Sequence, residues 1–102
     1  MSRSLVDGID RVLHEPARLV LMGLLAVVDE ADFVFLVDQT GLSPGNAGSH
    51  LKRLEDAGYV AADKRTSGNR PQTVYRLTAD GRKAAAGYRR SISKLVEALP
   101  VR

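Results

Sequence analysis

Apolar residues recur at three- and four-residue steps along most of the chain, a spacing typical of amphipathic helices. It predicts helices over residues 4–14, 17–28, 33–40, 43–58 and 79–98. The second of these is apolar on nearly every side, so we expect it to be the buried central helix. Residues 59–62 and 73–77 predict two strands of a hairpin. A short extended piece at 31–33 would add a third strand, giving a mainly α fold with a small β-sheet (α+β).

The third and fourth predicted helices are separated by a tight turn. Gly41 suits the left-handed conformation that ends many helices. Ser43 is a good N-cap, and Pro44 is favoured at the first helical position. Two helices joined by three or four residues form a helix-turn-helix unit, whose second helix can lie in the major groove of DNA.

The outer face of the fourth helix carries polar and basic side chains. Its apolar stripe is Ala47, Leu51 and Leu54, which predicts that the opposite side faces solvent. Amide, hydroxyl, imidazole and guanidinium groups can bond base edges or phosphates. The candidate recognition residues are Ser43, Asn46, Ser49, His50 and Arg53.

Other roles remain open for several of these residues. Asn46 could instead satisfy backbone donors at the helix start, and Arg53 could be a solvated charge. His50 could be solvated or ligate a metal, although no cluster of suitable ligands accompanies it in sequence. Gly45 and Gly48 each cost about 1 kcal/mol in a helix relative to alanine. They allow either close helix packing or close approach of the main chain to DNA.

The predicted hairpin is cationic around a tip of small polar residues. Ser67, Gly68 and Asn69 provide the turn. A flexible basic hairpin beside a recognition helix can follow the phosphates or insert an arginine into the minor groove. A solvated surface charge is the alternative for Arg70. The candidate hairpin residues for DNA contact are Lys64, Arg65, Ser67, Asn69 and Arg70.

Composition narrows the class of protein. The 102 residues are enough for one domain with one modest core. There is no cysteine, which excludes disulfides, cysteine metal sites and a thiol nucleophile. Residues 1–42 hold three basic and seven acidic residues, whereas residues 43–102 hold 12 basic and five acidic ones. A basic half of this kind favours a polyanionic partner.

The chain resembles the compact winged-helix regulators related to the MarR and ArsR proteins. The segments that carry the likeness are Asp10–Val20 with Phe33, Gly41–Asn46, His50–Val60 and Arg70–Thr78 followed by Gly81 and Arg82. The resemblance implies a winged helix-turn-helix fold over residues 1–102. It also implies a homodimeric transcription regulator with its recognition helix at 43–58, its wing at 62–73 and dimerisation through the first and last helices.

The apolar stripes of those two terminal helices are the candidate dimer surface. The alternative is that the last helix buries its stripe in the core of its own chain, but a domain this small cannot easily cover both helices. His14, just before Pro16, is expected to be structural, and Arg89 and Arg90 a solvated face. The candidate dimer residues are Leu5, Ile9, Val12, Tyr88, Ile92, Leu95 and Leu99.

These features predict a cytoplasmic, sequence-specific regulator that binds double-stranded DNA, acting as a homodimeric repressor. The alternative is a winged-helix protein-interaction module, which the polar outer face of residues 43–58 disfavours. No phosphate-binding loop, metal motif or nucleophile–base pair is present in the sequence, so we expect no enzyme activity, no metal and no cofactor.

ArsR-type metal sensors use clusters of cysteine and histidine, whereas this chain has only His14 and His50. Larger MarR-type proteins have longer helices that enclose an effector pocket, for which this chain has little material. The resemblance thus leaves a small-molecule effector possible but does not indicate one.

Overall fold

The computed structural model describes residues 4–102 and contains four helices and a three-stranded sheet. The order of elements is α1 (Pro16–Val28), β1 (Glu30–Asp32), α2 (Phe33–Thr40), α3 (Pro44–Asp56), β2 (Val60–Ser67), β3 (Arg70–Leu77) and α4 (Ala79–Ala98). All strand pairs are antiparallel, and β3 lies between β1 and β2. The predicted α+β fold class is confirmed.

Local cap signals explain why α2, α3 and α4 begin where they do. Asp32, Ser43 and Thr78 each accept a hydrogen bond from the main-chain N–H three residues further on. Gly41 ends α2 with φ 72°, as its position in the sequence predicts. The observed helices agree with the predicted ones to within two residues at each end.

The predicted helix over residues 4–14 is wrong. This segment forms a series of turns, in which the Asp10 carboxylate accepts hydrogen bonds from the N–H groups of Val12 and Leu13. An aspartate that bonds nearby main-chain donors competes with helix formation. Gly8 adds the entropic cost of glycine within a helix. The apolar spacing of the segment reflects packing, since Ile9, Val12 and Leu13 still contact the core.

The core lies where α1, α2 and α3 meet one face of the sheet. Its fully buried side chains are Leu13, Leu21, Leu25, Leu36, Leu51 and Leu54. The expectation that the second predicted helix is the buried central one holds for one face of α1, which carries the buried Leu21, Met22 and Leu25. Leu19, Val20 and Val27 are exposed.

A hydrogen bond between side chains fixes the N-terminal segment, residues 4–15, to the start of β2. The Tyr59 hydroxyl donates a hydrogen bond to Asp10 Oδ2, and this bond, with desolvation and the nearby carboxylate charge, raises the pKa of Tyr59 to about 12. The folded-state pKa of Tyr59 lies above the unfolded value of about 10. The contribution of this hydrogen bond to the free energy of unfolding is therefore fully present below pH 10 and is lost as the pH rises through 12.

We therefore expect the free energy of unfolding to fall more steeply between pH 10 and 12 in the wild type than in Tyr59→Phe. Denaturant unfolding measured at intervals across this range tests the prediction. Tyr75→Phe is the comparison variant: the pKa of Tyr75 is raised mainly by burial, so this variant shows how much of the slope arises without a hydrogen bond to a carboxylate. Parallel pH profiles for wild type and Tyr59→Phe would contradict the assignment.

Candidate nucleic-acid interface

The helix-turn-helix unit consists of α2, the turn at residues 41–43, and α3. The Ser43 hydroxyl accepts from the N–H of Asn46 at 3.2 Å, and its carbonyl accepts from the N–H of Ala47 at 2.9 Å. Serine therefore performs the capping function that was the alternative role for the side chain of Asn46. The amide of Asn46 is on the exposed surface instead.

The buried stripe of α3 fixes which side chains face outward. Ala47, Leu51 and Leu54 are completely buried. Asn46, Ser49 and Arg53 are all exposed, as their helical positions predict. The structure thus brings together an amide, a hydroxyl and a guanidinium on one open helix face, with Ser43 exposed at its start.

The prediction that His50 lies on the solvent side is wrong, because its side chain is only 22% exposed and turns towards α1. The guanidinium of Arg18 lies 3.2 Å from His50 Nδ1, and since arginine has no acceptor, this nitrogen accepts. The opposite ring nitrogen faces a carboxylate oxygen of Glu15 at 3.5 Å. His50 therefore connects α3 to the first turn of α1, and contact with DNA stays a prediction.

Glu15 and Arg18 are themselves held in place. Glu15 accepts from the N–H of Arg18 as the N-cap of α1, and this hydrogen bond is the main cause of a lowered pKa for the Glu15 carboxyl. The Arg18 guanidinium also donates to the carbonyls of Val12 and Arg11. Periodicity could not reveal this cluster, since its partners lie up to 32 residues apart.

An ion pair that the sequence analysis missed lies at the far end of the outer face of α3. Lys52 Nζ is 2.7 Å from Asp56 Oδ1, and both side chains are exposed. The four-residue spacing is the usual one for such pairs on a helix and was visible in the sequence. The acidic residues of α3, Glu55 and Asp56, both lie in its last turn, so the part of the helix near Ser43 is free of carboxylates.

The hairpin is longer and more regular than predicted. Strands β2 and β3 pair from Val60 with Leu77 to Ser67 with Arg70, and Gly68 takes φ 64° in the turn. Every residue from Asp63 to Pro71 is exposed. Because side chains alternate across a strand, Lys64 lies on one face of the hairpin, while Arg65, Ser67 and Arg70 share the other. Asn69 lies in the turn itself.

Arg65 is tied to the body of the protein. Its two terminal nitrogens donate to the two carboxylate oxygens of Glu30 at 3.1 and 3.3 Å, and its Nε donates to Asp63 at 2.8 Å. These bonds raise the pKa of the guanidinium. Glu30 belongs to β1, 35 positions earlier in the chain. Arg65 thus braces the hairpin against β1, with its charge compensated by two carboxylates.

The candidate dimer residues fall into three groups. Ile9, Val12 and Ile92 are partly buried against the core. Tyr88 is only 7% exposed and pairs with His14, whose Nδ1 is 2.9 Å from the Tyr88 hydroxyl. For Tyr88, therefore, most of the side chain is covered within its own chain. The exposed members are Leu5, Leu95 and Leu99.

An apolar groove of about 320 Å³ runs between α1 and α4. Leu19, Gly23 and Ala26 line it from α1, and Ala85 and Ile92 line it from α4. Beyond Lys94 every residue of α4 is exposed, so the apolar stripe continues past the groove into solvent. Of the two helices expected to form a dimer surface, the one over residues 79–98 is present as α4 and the one over residues 4–14 is not.

In the described part of the chain, none of the helices is both long and apolar enough to cross a membrane. Residues 4–102 contain no group of three or more side chains placed to hold a metal ion.

Comparisons with known proteins agree with this architecture. The chain is 30% identical to an uncharacterised protein, MJ0432, of Methanocaldococcus jannaschii over 76% of this chain and 85% of that protein. It superposes with a TM-score of 0.81 and 30% identity on a transcriptional regulator homologue from Pyrococcus horikoshii, covering 90% of this chain and 91% of the other.

A protein described as an ArsR family transcriptional regulator, RHA00566, shares the fold at 19% identity and a TM-score of 0.60, over 98% of this chain and all of the other. The resemblance to regulators of the MarR and ArsR type is confirmed. Residues 17–96 match the family described as "Winged helix DNA-binding domain". The chain therefore belongs to the winged helix DNA-binding domain family of transcriptional regulators.

Proposed function

We propose that this protein is a cytoplasmic, homodimeric repressor that binds a specific double-stranded DNA sequence through α3 and the β2–β3 hairpin. The observation that carries the proposal is the outer face of α3. Asn46, Ser49 and Arg53 are exposed together, next to an exposed cationic hairpin. A face without large apolar side chains favours a nucleic acid over a protein partner, because protein interfaces depend on aromatic and apolar anchors.

In this proposal α3 lies in the major groove. Arg53 is long enough to reach a guanine edge or a phosphate, and Asn46 has the amide that bonds adenine. Ser49 lies between them on the same face, and its hydroxyl can bond a base edge or a phosphate. The cap at Ser43 places the first turn of α3 firmly, so that these side chains reach the groove from a fixed helix axis.

The hairpin contributes affinity more than sequence preference. Among the described residues, the ion pairs of the hairpin involve Arg65 and not Lys64 or Arg70. Lys64 and Arg70 are therefore the cations we assign to phosphates, with Ser67 and Asn69 at the tip beside them. Arg65 sets the orientation of the hairpin through Glu30, which is a supporting role and not the direct contact that the sequence suggested.

A second copy of the chain completes the proposed regulator. Two recognition helices related by a two-fold axis would enter successive major grooves about 34 Å apart. The groove between α1 and α4, together with the exposed apolar positions of α4, provides the surface for the second copy. Repression then follows from occupation of the operator.

Selection of bound sequences from a random duplex pool tests the proposal. We expect an inverted repeat with half-sites about 10 base pairs apart. Affinity for the recovered site should fall by about 10³-fold or more between 50 and 200 mM salt if six or more phosphates are contacted. Failure to recover any shared sequence, or affinity independent of salt, would refute specific DNA binding.

Two arginine variants separate the roles of the helix and the hairpin. Arg70→Ala should weaken binding to all duplexes and reduce the salt slope by about 1, as for one lost phosphate contact. Arg53→Ala should cost about 1–3 kcal/mol on the selected site and relax the base preference at one position of each half-site. Arg90→Ala, at an exposed position on α4 that does not line the groove, is the control and should leave both properties unchanged. Equal effects of all three variants would contradict the assignment.

A further inference from the structure

Gly45 occupies a helical position for which the fold gives no reason to use glycine. It is the second residue of α3, after Pro44, and it is exposed. A Cβ atom built there meets nothing within 4 Å. The glycines with positive φ are Gly41, Gly58 and Gly68, so Gly45 does not need the conformational freedom of glycine either.

Gly48, one turn later in the same helix, is different. Its Cβ would lie 3.9 Å from the ring of Phe33, an ordinary van der Waals distance, so it points towards α2. Alanine would fit at Gly48 too, but its methyl group would lie against α2 and not on the open surface where Gly45 lies. Glycine in a helix is unfavourable relative to alanine. At Gly45 it therefore destabilises α3, and no contact within this chain requires it.

Gly45 lies on the face that we assign to DNA. It precedes Ser49 by one turn, and residues four apart share a helix face. It also adjoins Asn46 at the start of the helix. The two polar side chains nearest to it are short, so they can reach a base edge only if the helix axis comes close to the groove floor.

We infer that Gly45 is a specificity-determining residue, at which the main chain of α3 makes direct van der Waals contact with the DNA. The inference rests on the proposed function. A carbon side chain at this position would hold the helix off by up to about 1.5 Å, the length of one C–C bond. Hydrogen bonds weaken to nothing over such a distance. The contacts of Asn46 and Ser49 would be lost, whereas the longer Arg53 could still follow the DNA.

Gly45→Ala tests the inference because stability and binding should change in opposite directions. Alanine favours the helix and meets no clash, so Tm should rise by about 2–4 °C. Affinity for the selected operator should fall about tenfold or more, while affinity for unrelated duplex changes little. Gly45→Leu should lower operator affinity further.

Gly48→Ala is the matched control in the same helix. It should raise Tm similarly and leave operator affinity at the wild-type level, which excludes helix stiffening as the cause. If both Gly45 variants keep the wild-type affinity for the operator, or if Tm falls in Gly45→Ala, the inference is wrong but the proposed function is unaffected. Absence of duplex binding by the wild-type protein would overturn the proposed function, and with it the inference.

Discussion

Replacing Gly81 by alanine is expected to lower the free energy of unfolding by about 3–5 kcal/mol, combining overpacking of about 1–3 kcal/mol with the loss of one or two hydrogen bonds. Gly81 is buried in the first turn of α4. A Cβ atom built there would lie 2.0 Å from the carbonyl oxygen of Tyr59 and 2.9 Å from its carbonyl carbon. Both are main-chain atoms, so no side-chain rotation relieves the clash.

The main chain around Tyr59 cannot easily move away. Its carbonyl accepts from the N–H of Thr78 at 3.1 Å. The hydroxyl of Thr78 donates to the carbonyl of Gly58 at 2.6 Å and accepts from the N–H of Gly81 at 2.9 Å. A shift that makes room for the methyl group breaks this junction between the start of β2 and the start of α4.

Thermal unfolding measures the effect. For a domain of about 100 residues, a loss of 3 kcal/mol or more corresponds to a fall in Tm of about 12 °C or more. Gly45→Ala is the control, because Gly45 is also helical but a Cβ there meets nothing within 4 Å, so this variant should be slightly more stable than wild type. A Tm for Gly81→Ala within a few degrees of wild type would show that the junction is softer than its geometry indicates.

The parts of the fold that depend on neighbours in sequence could be predicted from the sequence. Gly41, Ser43 and Pro44 act on the backbone within three or four residues of themselves, and they fixed the turn between α2 and α3. The outer face of α3 was predictable for the same reason, since one buried stripe of Ala47, Leu51 and Leu54 determines which residues face outward.

The failures have two physical causes. Over residues 4–14 the apolar spacing was real, but the side chain of Asp10 supplied hydrogen bonds that compete with a helix. The roles of Arg65 and His50 depend on Glu30 and Arg18, which are distant in sequence. No periodic pattern records which charges meet across a fold, so the sequence missed the ion pairs of the exposed Arg65 and the half-buried position of His50.

The apolar groove between α1 and α4 also differs from what the sequence predicted. The sequence predicted a dimer surface from two terminal helices, of which only the last exists in residues 4–102. In the proposed dimer, the side of α1 that lines the groove takes the place of the helix expected over residues 4–14. Its small residues Gly23 and Ala26 leave room for apolar side chains of a second copy to approach closely.

Leu95→Glu is expected to convert the proposed dimer into a monomer and to lower affinity for the inverted repeat by about 100-fold or more, since two linked half-site contacts exceed one by 10²–10⁴-fold. Leu95 is 37% exposed and belongs to the apolar stripe of α4 beyond the groove. A buried unpaired carboxylate is costly at an interface between two copies, whereas in a monomer it remains in water.

Sedimentation and duplex binding measure the two effects, and circular dichroism confirms that the variant keeps its helices. Val27→Glu is the matched control, because Val27 is an exposed apolar residue of α1 that does not line the groove. It should sediment and bind as the wild type does. If Leu95→Glu stays dimeric with unchanged affinity, the second copy must bind elsewhere on the surface. A carboxylate buried between two helices without an opposite charge beside it is strongly destabilising.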